Sequence, residues 1–379
     1  MRILLVANPL HGHVNPLLAL GRAALRQGHA VALATGADLA PLAQKQGIDA
    51  WSVGMTHAQG GGNQQASWLA YFEAAAQARL GPLLQRCAAW RPDLVVHEET
   101  ELAGPVVAAS LGARAVVQGL GPRLPERLLQ WIASAIERVA PGELGMAALS
   151  AWRGTTWLNL CPPGLDRLVQ DASALNTLAL RPTTPDGADD PALMRRIERL
   201  PHPRSVFLTL GTVYGGHSAA LAAAIEGLQE LPVNLIVALG PQGEPALFEG
   251  HGKHVLIERL VPLDSVLARC DAVVSQGGSG VMLGALACGL PQLMLPQGAD
   301  QFRNAELCVR TGAALALQPG DATPSSIAER ARGLLDEPRF ATAAGTLRDE
   351  MAAMPEAEAV VAALAQDPRR PARPLNVRK

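Results

Sequence analysis

Short, continuous apolar runs recur along this chain, each followed by a longer stretch with helical spacing. Ile3–Ala7 is apolar throughout, as a strand buried on both faces must be. From Val14 to Gln27, Leu18, Gly21 and Leu25 return at helical intervals, and Gly28 supplies the stop. Ala30–Ala34 then reads as a strand, the next helix runs to Gln46, and Asp49–Val53, Leu94–His97 and Ala115–Gln118 read as further strands. Alternation of this kind favours right-handed βαβ units and a parallel sheet. The pattern restarts at Ser205–Leu210 and continues through Val233–Leu239, His254–Glu258, Ala272–Ser275, Gln292–Leu295 and Ala314–Leu317. Between the two series lies Arg181–Pro191, polar and Pro-rich, with the composition of a linker.

The expected class is therefore α/β, as two units with a cleft between them. A chain of 379 residues suits that number, since single cores rarely grow past about 250–300 residues. The boundaries expected are 1–190 for the first domain, 191–355 for the second, and 356–379 for a C-terminal helix with a flexible tail, disordered after Asp367. The segment Gly54–Ala66, with Gly60-Gly61-Gly62-Asn63, suits neither helix nor strand. It reads as a mobile loop that selects substrate or as a solvated insertion.

Charge and cysteine content exclude several classes. The 32 basic and 34 acidic residues leave a formal net charge of −2, so no global field recruits nucleic acid or an anionic membrane. No apolar stretch is long enough to span a bilayer. The start MRILLVANPL reads as a first strand and not as a secretory signal. Cys87, Cys161, Cys270, Cys288 and Cys308 are dispersed and odd in number, which fits buried thiols in a reducing cytoplasm.

Function in a parallel sheet sits where strands end. The first strand ends in His11-Gly12-His13-Val14-Asn15-Pro16. An imidazole there can act as a base or merely face a helix start. The strand ending at His97 leads into Glu98, Glu99 and Glu101. Glu98, the first of the three, can hold an imidazole in one tautomer, while the others complement a helix N-terminus. Two glycine loops follow strands in the second half, Leu210-Gly211-Thr212 and Gln276-Gly277-Gly278-Ser279-Gly280. A helix after the second loop would offer its unpaired N–H groups to a diphosphate. The third glycine of Gly278-Ser279-Gly280…Gly284 comes one residue late for a dinucleotide fingerprint. Val281 removes the last glycine of a hydrolase elbow. Asp300 and Gln301 suit sugar hydroxyls, or a helix cap.

Taken together, these stretches resemble the family 1 glycosyltransferases of GT-B fold, bacterial enzymes that decorate natural products such as polyketides and enediynes. The resemblance runs from His11–Pro16 to the LRDEMAAMP stretch, and its most specific block is Pro262–Asn304. It implies two Rossmann-like domains facing an interdomain cleft, the first for the acceptor and the second for the nucleotide sugar. It implies His13 as catalytic base and Glu98 as the acid orienting it. It implies Gly211, Thr212, Gln276, Gly277, Gly278, Ser279 and Gly280 around the donor diphosphate, Leu260 and Val261 at the nucleobase, and Asp300 and Gln301 at the sugar. Trp51, Trp68 and Trp131 fall in the acceptor half, and Trp68 and Trp131 are the acceptor-binding candidates. The chain departs from the family pattern at Gln276, where a His is usual, at Val281, where Thr or Ser is usual, and at Leu260, where an aromatic ring is common. The implied activity is inverting transfer from a nucleoside diphosphate sugar, foremost a TDP-deoxysugar, to a hydroxyl of an apolar aglycone. No cofactor and no metal are expected; partners are the small donor and acceptor, with a homodimer left open, and no nucleic acid or membrane. Two other readings share the architecture: a nucleotide-sugar 2-epimerase and a non-catalytic homologue that activates a partner transferase.

Overall fold

The computed structural model describes residues 1–59, 68–169, 176–183, 190–211, 219–241, 243–248 and 251–366. Gly60-Gly61-Gly62-Asn63, the tail after Asp367 and Thr212 lie outside the described residues. The chain divides into two compact units, one of Met1–Leu160, Gln170–Arg181 and Met354–Lys379, the other of Cys161–Val169 and Pro182–Ala353.

The N-terminal unit is built on seven strands: β1 Arg2–Val6, β2 Ala30–Thr35, β3 Asp49–Ser52, β4 Leu94–Glu98, β5 Arg114–Gln118, β6 Thr156–Asn159 and β7 Asn176–Ala179. They pair in parallel in the order β3-β2-β1-β4-β5-β6-β7. Leu5 of β1 stands opposite Leu33 on one side and Val96 on the other. Central strands covered on both faces have no solvent side, which is why their sequences are apolar without alternation. The helices Ala103–Leu111 and Glu126–Val139 bring Val106, Val107, Ile132 and Ile136 onto one face of this sheet. Trp51 is 1% exposed in that core, with the Arg86 guanidinium 4.6 Å above its ring, so it is a packing residue.

The helix expected from Val14 starts earlier, spanning His11–Arg26. Extended Leu10 is its N-cap, and Pro16 lies inside it, where its missing N–H costs one intrahelical bond. At the end of β5, Gln118 Nε2 donates to the Pro16 carbonyl at 2.7 Å and ties this turn to the sheet. Strands β6 and β7 extend the sheet beyond the strands read from the sequence.

The second unit has six strands, β8 Ser205–Thr209, β9 Asn234–Ala238, β10 Val255–Glu258, β11 Ala272–Ser275, β12 Gln292–Met294 and β13 Ala314–Ala316. Their order is β10-β9-β8-β11-β12-β13, again all parallel. Leu208, Val237, Val274 and Leu293 pack with Leu221 and Ile225 of the helix Ala219–Leu228 and Ile327 of the helix Pro324–Asp336. After this unit the chain returns to the first one. Arg181 N–H donates to the Pro355 carbonyl at 2.8 Å, Arg26 pairs with Glu358, and the helix Ala357–Gln366 buries Val360, Val361 and Leu364. Among the described residues no helix is long and apolar enough to cross a membrane.

Both sheets reverse their winding after the same step. In the first the reversal falls between β1 and β4, and in the second between β8 and β11. Loops leaving the carboxyl ends of such neighbours run to opposite faces and leave a crevice that ligands occupy.

Candidate active site

In the N-terminal unit, the chain leaving β1 carries Asn8 and then His13, in the first turn of the helix His11–Arg26. Across the reversal point, β4 ends in Glu98. His13 Nδ1 lies 3.0 Å from Glu98 Oε1, with the imidazole 16% exposed and the carboxylate fully buried. Oε1 also accepts from Asn8 Nδ2 at 2.7 Å and from the Asn8 N–H at 3.3 Å. Oε2 accepts from the Thr100 N–H at 2.6 Å and from Thr100 Oγ1 at 2.8 Å. Burial pushes the Glu98 carboxyl up, but the His13 charge and hydrogen bond and the Thr100 donors outweigh it and hold it down at about 2. An ionised carboxylate only accepts, so the bond places a proton on Nδ1 of His13 and leaves Nε2 on the side of the ring away from Glu98.

The other members of the acidic run do different work. Glu101 accepts from the Ala103 and Gly104 N–H groups at the start of the helix Ala103–Leu111 and pairs with buried Arg79 at 2.8 Å. Burial lowers the pKa of His97, whose Nδ1 lies 3.1 Å from the Glu98 carbonyl; it is a packed, neutral ring.

Rings gather beside His13. Its centroid is 5.5 Å from that of Phe72, and Trp68 stacks on Phe72 at 6.3 Å. Leu10, Tyr71 and Phe72 form a small apolar cluster, with Met55, Trp68 and Trp131 packed against it. The structure thus brings Trp68 and Trp131 to one cluster and leaves Trp51 out of it.

In the second unit, Gly211 follows β8 with φ +78°, and Gly277 follows β11 with φ +83°. Both lie in the left-handed region, which glycine enters without steric cost. Gln276 is 7% exposed. A Cβ on Gly211 would meet its Nε2 at 2.0 Å, and one on Gly278 would meet it at 2.9 Å, so the amide lies across both glycine loops. Its Oε1 is buried with no partner among the described residues. Gly278 caps the helix Ser279–Ala287, whose first turn carries no acidic side chain. Its first N–H groups lack intrahelical acceptors, as at any helix start. Val281 packs against an apolar cluster with Leu193, Val266 and Leu290, and Val261 packs there too, whereas Leu260 is 61% exposed.

Asp300 and Gln301 stand at the start of the helix Gln301–Arg310. The Asp300 carboxylate does not cap that helix; its Oδ2 accepts from Ser279 Oγ at 2.9 Å and from Asn304 Nδ2 at 2.8 Å. Asn304 Nδ2 also donates to the Gly277 carbonyl at 2.9 Å. Gln301 Oε1 accepts from the Gln297 and Gly298 N–H groups, holding a turn in which Ala299 has φ +54°. The glycine loop and the acidic turn are therefore one hydrogen-bonded assembly. Sequence reading passes over Asn8, Thr100, Phe72 and Asn304. Asn8 and Thr100 carry a faint signal, being polar residues just past the two strands that flank a winding reversal. Among the described residues no group of three or more His, Cys, Asp or Glu is arranged to hold a metal ion.

Residues 59–211 match the N-terminal domain, and 222–366 the C-terminal domain, of the family described as erythromycin biosynthesis protein CIII-like. The L-demethylnoviosyl transferase of Streptomyces niveus is 31% identical over 84% of this chain and 85% of its own length. The elloramycin glycosyltransferase ElmGT of Streptomyces olivaceus is 31% identical over 96% of this chain and 97% of its own. Among solved structures, the glycosyltransferase SnogD of Streptomyces nogalater superposes with a TM-score of 0.80 at 28% identity, covering 96% of this chain and 99% of that one. The spinosyn rhamnosyltransferase SpnG complexed with thymidine diphosphate gives 0.80 at 24% identity, over 96% and 100%. With both sheets wound alike and a cluster of polar side chains at each reversal, the chain belongs to the family 1 glycosyltransferases of GT-B fold, enzymes that transfer sugars to natural-product aglycones.

Proposed function

We propose that the protein is an inverting transferase that moves a deoxysugar from its thymidine diphosphate to a hydroxyl of an apolar, polyketide-like aglycone. The observation that carries this reading is the His13–Glu98 contact at the reversal point of the first sheet. In this reading the N-terminal unit receives the acceptor, with Trp68, Phe72 and Trp131 supplying its apolar walls. The C-terminal unit holds the donor. Gly211, Gln276, Gly277, Gly278, Ser279 and Gly280 line the diphosphate, Leu260 and Val261 the base, and Asp300 and Gln301 the sugar. The thymidine diphosphate complex of SpnG supports the choice of nucleotide.

The steps balance without a cofactor. The acceptor O–H gives its proton to Nε2 of His13 as its oxygen attacks the anomeric carbon from the face opposite the diphosphate. The new C–O bond forms, the bond to the phosphate oxygen breaks, and that oxygen leaves with the electron pair. Charge growing on the diphosphate is met by N–H groups of the glycine loop and the helix start, with no metal required. The imidazolium that forms is paired with the Glu98 carboxylate. We place the enzyme in the cytoplasm, the compartment that an odd, dispersed set of five cysteines suits.

The test pairs binding with turnover. Thymidine diphosphate should raise the melting temperature of the parent and of His13→Ala equally, while transfer from TDP-sugars to a panel of phenolic and macrolide acceptors should fall by roughly 10²–10⁴ in the variant. Undiminished transfer in His13→Ala would exclude His13 as the base, and EDTA should leave the parent rate unchanged.

A further inference from the structure

We infer that Asn8 is a positioning residue for the transfer, fixing the Glu98 carboxylate and, through it, the proton on Nδ1 of His13. The inference rests on the reading of His13 as base.

Five donors converge on Glu98: His13 Nδ1, the side chain and N–H of Asn8, and the hydroxyl and N–H of Thr100. Two of the five come from the Asn8 residue, and its amide makes the shorter of its contacts, 2.7 Å, to the same oxygen that meets His13. Asn8 and His13 leave the same strand and grip Oε1 together. The carboxylate cannot swing toward or away from the imidazole while both hold.

The orientation of the Asn8 amide is itself informative. Nδ2 faces Glu98, the Thr100 carbonyl at 3.3 Å and Thr100 Oγ1 at 3.4 Å. Its Oδ1 is buried with no partner among the described residues. A buried amide that satisfies its donor end and strands its acceptor end is destabilising on its own account, and such arrangements persist where the aimed donor has a task. The local turn does not need this side chain. It is closed by the backbone, with the Leu10 N–H donating to the Asn8 carbonyl at 2.7 Å.

Asparagine also differs from its isostere in the way that matters. Aspartate at position 8 would set a second carboxylate within hydrogen-bond distance of Glu98, and two carboxylates so placed share a proton. The shared proton would compete with His13 for Oε1, and the imidazole would lose its charged acceptor.

The experiment uses the full chain labelled with 15N-histidine, in which long-range 1H–15N correlations read the tautomer of each imidazole and His13→Gln identifies the His13 signals. The parent is expected to show His13 protonated at Nδ1 and unprotonated at Nε2. In Asn8→Asp the His13 nitrogens should become a tautomer mixture, and in Asn8→Ala the Nδ1 signal should move, with turnover down about tenfold or more in each. Thr100→Val, which keeps shape and the backbone donor, should shift the same signal by less and covers the case in which Asn8→Ala does not fold. If Asn8→Asp and Thr100→Val leave the His13 nitrogens as in the parent, the inference is overturned, whatever happens to the melting temperature. Failure of the base reading looks different: His13→Gln would then keep its turnover.

Discussion

A Cβ on Gly211 would stand 2.0 Å from Nε2 of Gln276. The loop after β8 and the loop after β11 therefore share one volume, with the side chain of one filling the place that the other leaves open. Gly211→Ala should displace Gln276 and strain a backbone at φ +78°, costing about 1–3 kcal/mol of stability. The same change should weaken thymidine diphosphate binding by calorimetry. Gln276→His, tested beside it, should raise donor affinity if the residue faces the diphosphate, and an unchanged affinity would remove Gln276 from that site.

Acid should unmask Glu98. Its carboxyl is held at about 2 in the folded chain, below the ordinary value of about 4.3. A depressed carboxyl stabilises the fold above its unfolded value, and that contribution is lost as pH falls through the folded value. The stability difference between the parent and Glu98→Gln, followed by urea unfolding, should accordingly shrink between about pH 5 and pH 2. A constant difference over that range would contradict the hydrogen-bonded carboxylate.

Arg79 and Glu101 form an ion pair from which both side chains exclude solvent. Removing one partner strands the other, so Arg79→Met should cost about 3–5 kcal/mol in urea unfolding. The double variant Arg79→Met, Glu101→Gln should recover part of that loss, though the cap on the helix Ala103–Leu111 is weakened in it.

Trp68→Ala should raise the KM for an aromatic acceptor by about tenfold, equivalent to roughly 1.4 kcal/mol of lost ring contact, with the donor KM unchanged. A change in donor KM instead would move Trp68 out of the acceptor site.

Core strands are legible because burial on both faces writes itself as an unbroken apolar run. Strands β1–β5 and β8–β13 fall within a residue or two of the ends read from sequence. Strands β6 and β7 are not legible: Thr-Trp-Leu-Asn and Asn-Thr-Leu-Ala are four residues long and half polar. His13 stands out in sequence by its place just past one strand and Glu98 by its place at the end of another, and the fold brings the two within 3.0 Å. Asn8 and Thr100 escape because a short polar side chain near a strand end looks like turn chemistry, and only the fold shows both aimed at one carboxylate. Asn304 escapes for a related reason, since its side chain reaches a loop 27 residues earlier in the chain as well as its own turn.

The return of the chain to its first unit bears on how this enzyme can be rebuilt. The N-terminal unit closes with residues from Met354 onward, which bury Val360, Val361 and Leu364. The corresponding second unit of a relative therefore has to be spliced in as an insert, with one junction near Arg181 and a second near Met354. A chimera joined at a single point would exchange the last helix as well and mismatch it against the sheet and helix of its host.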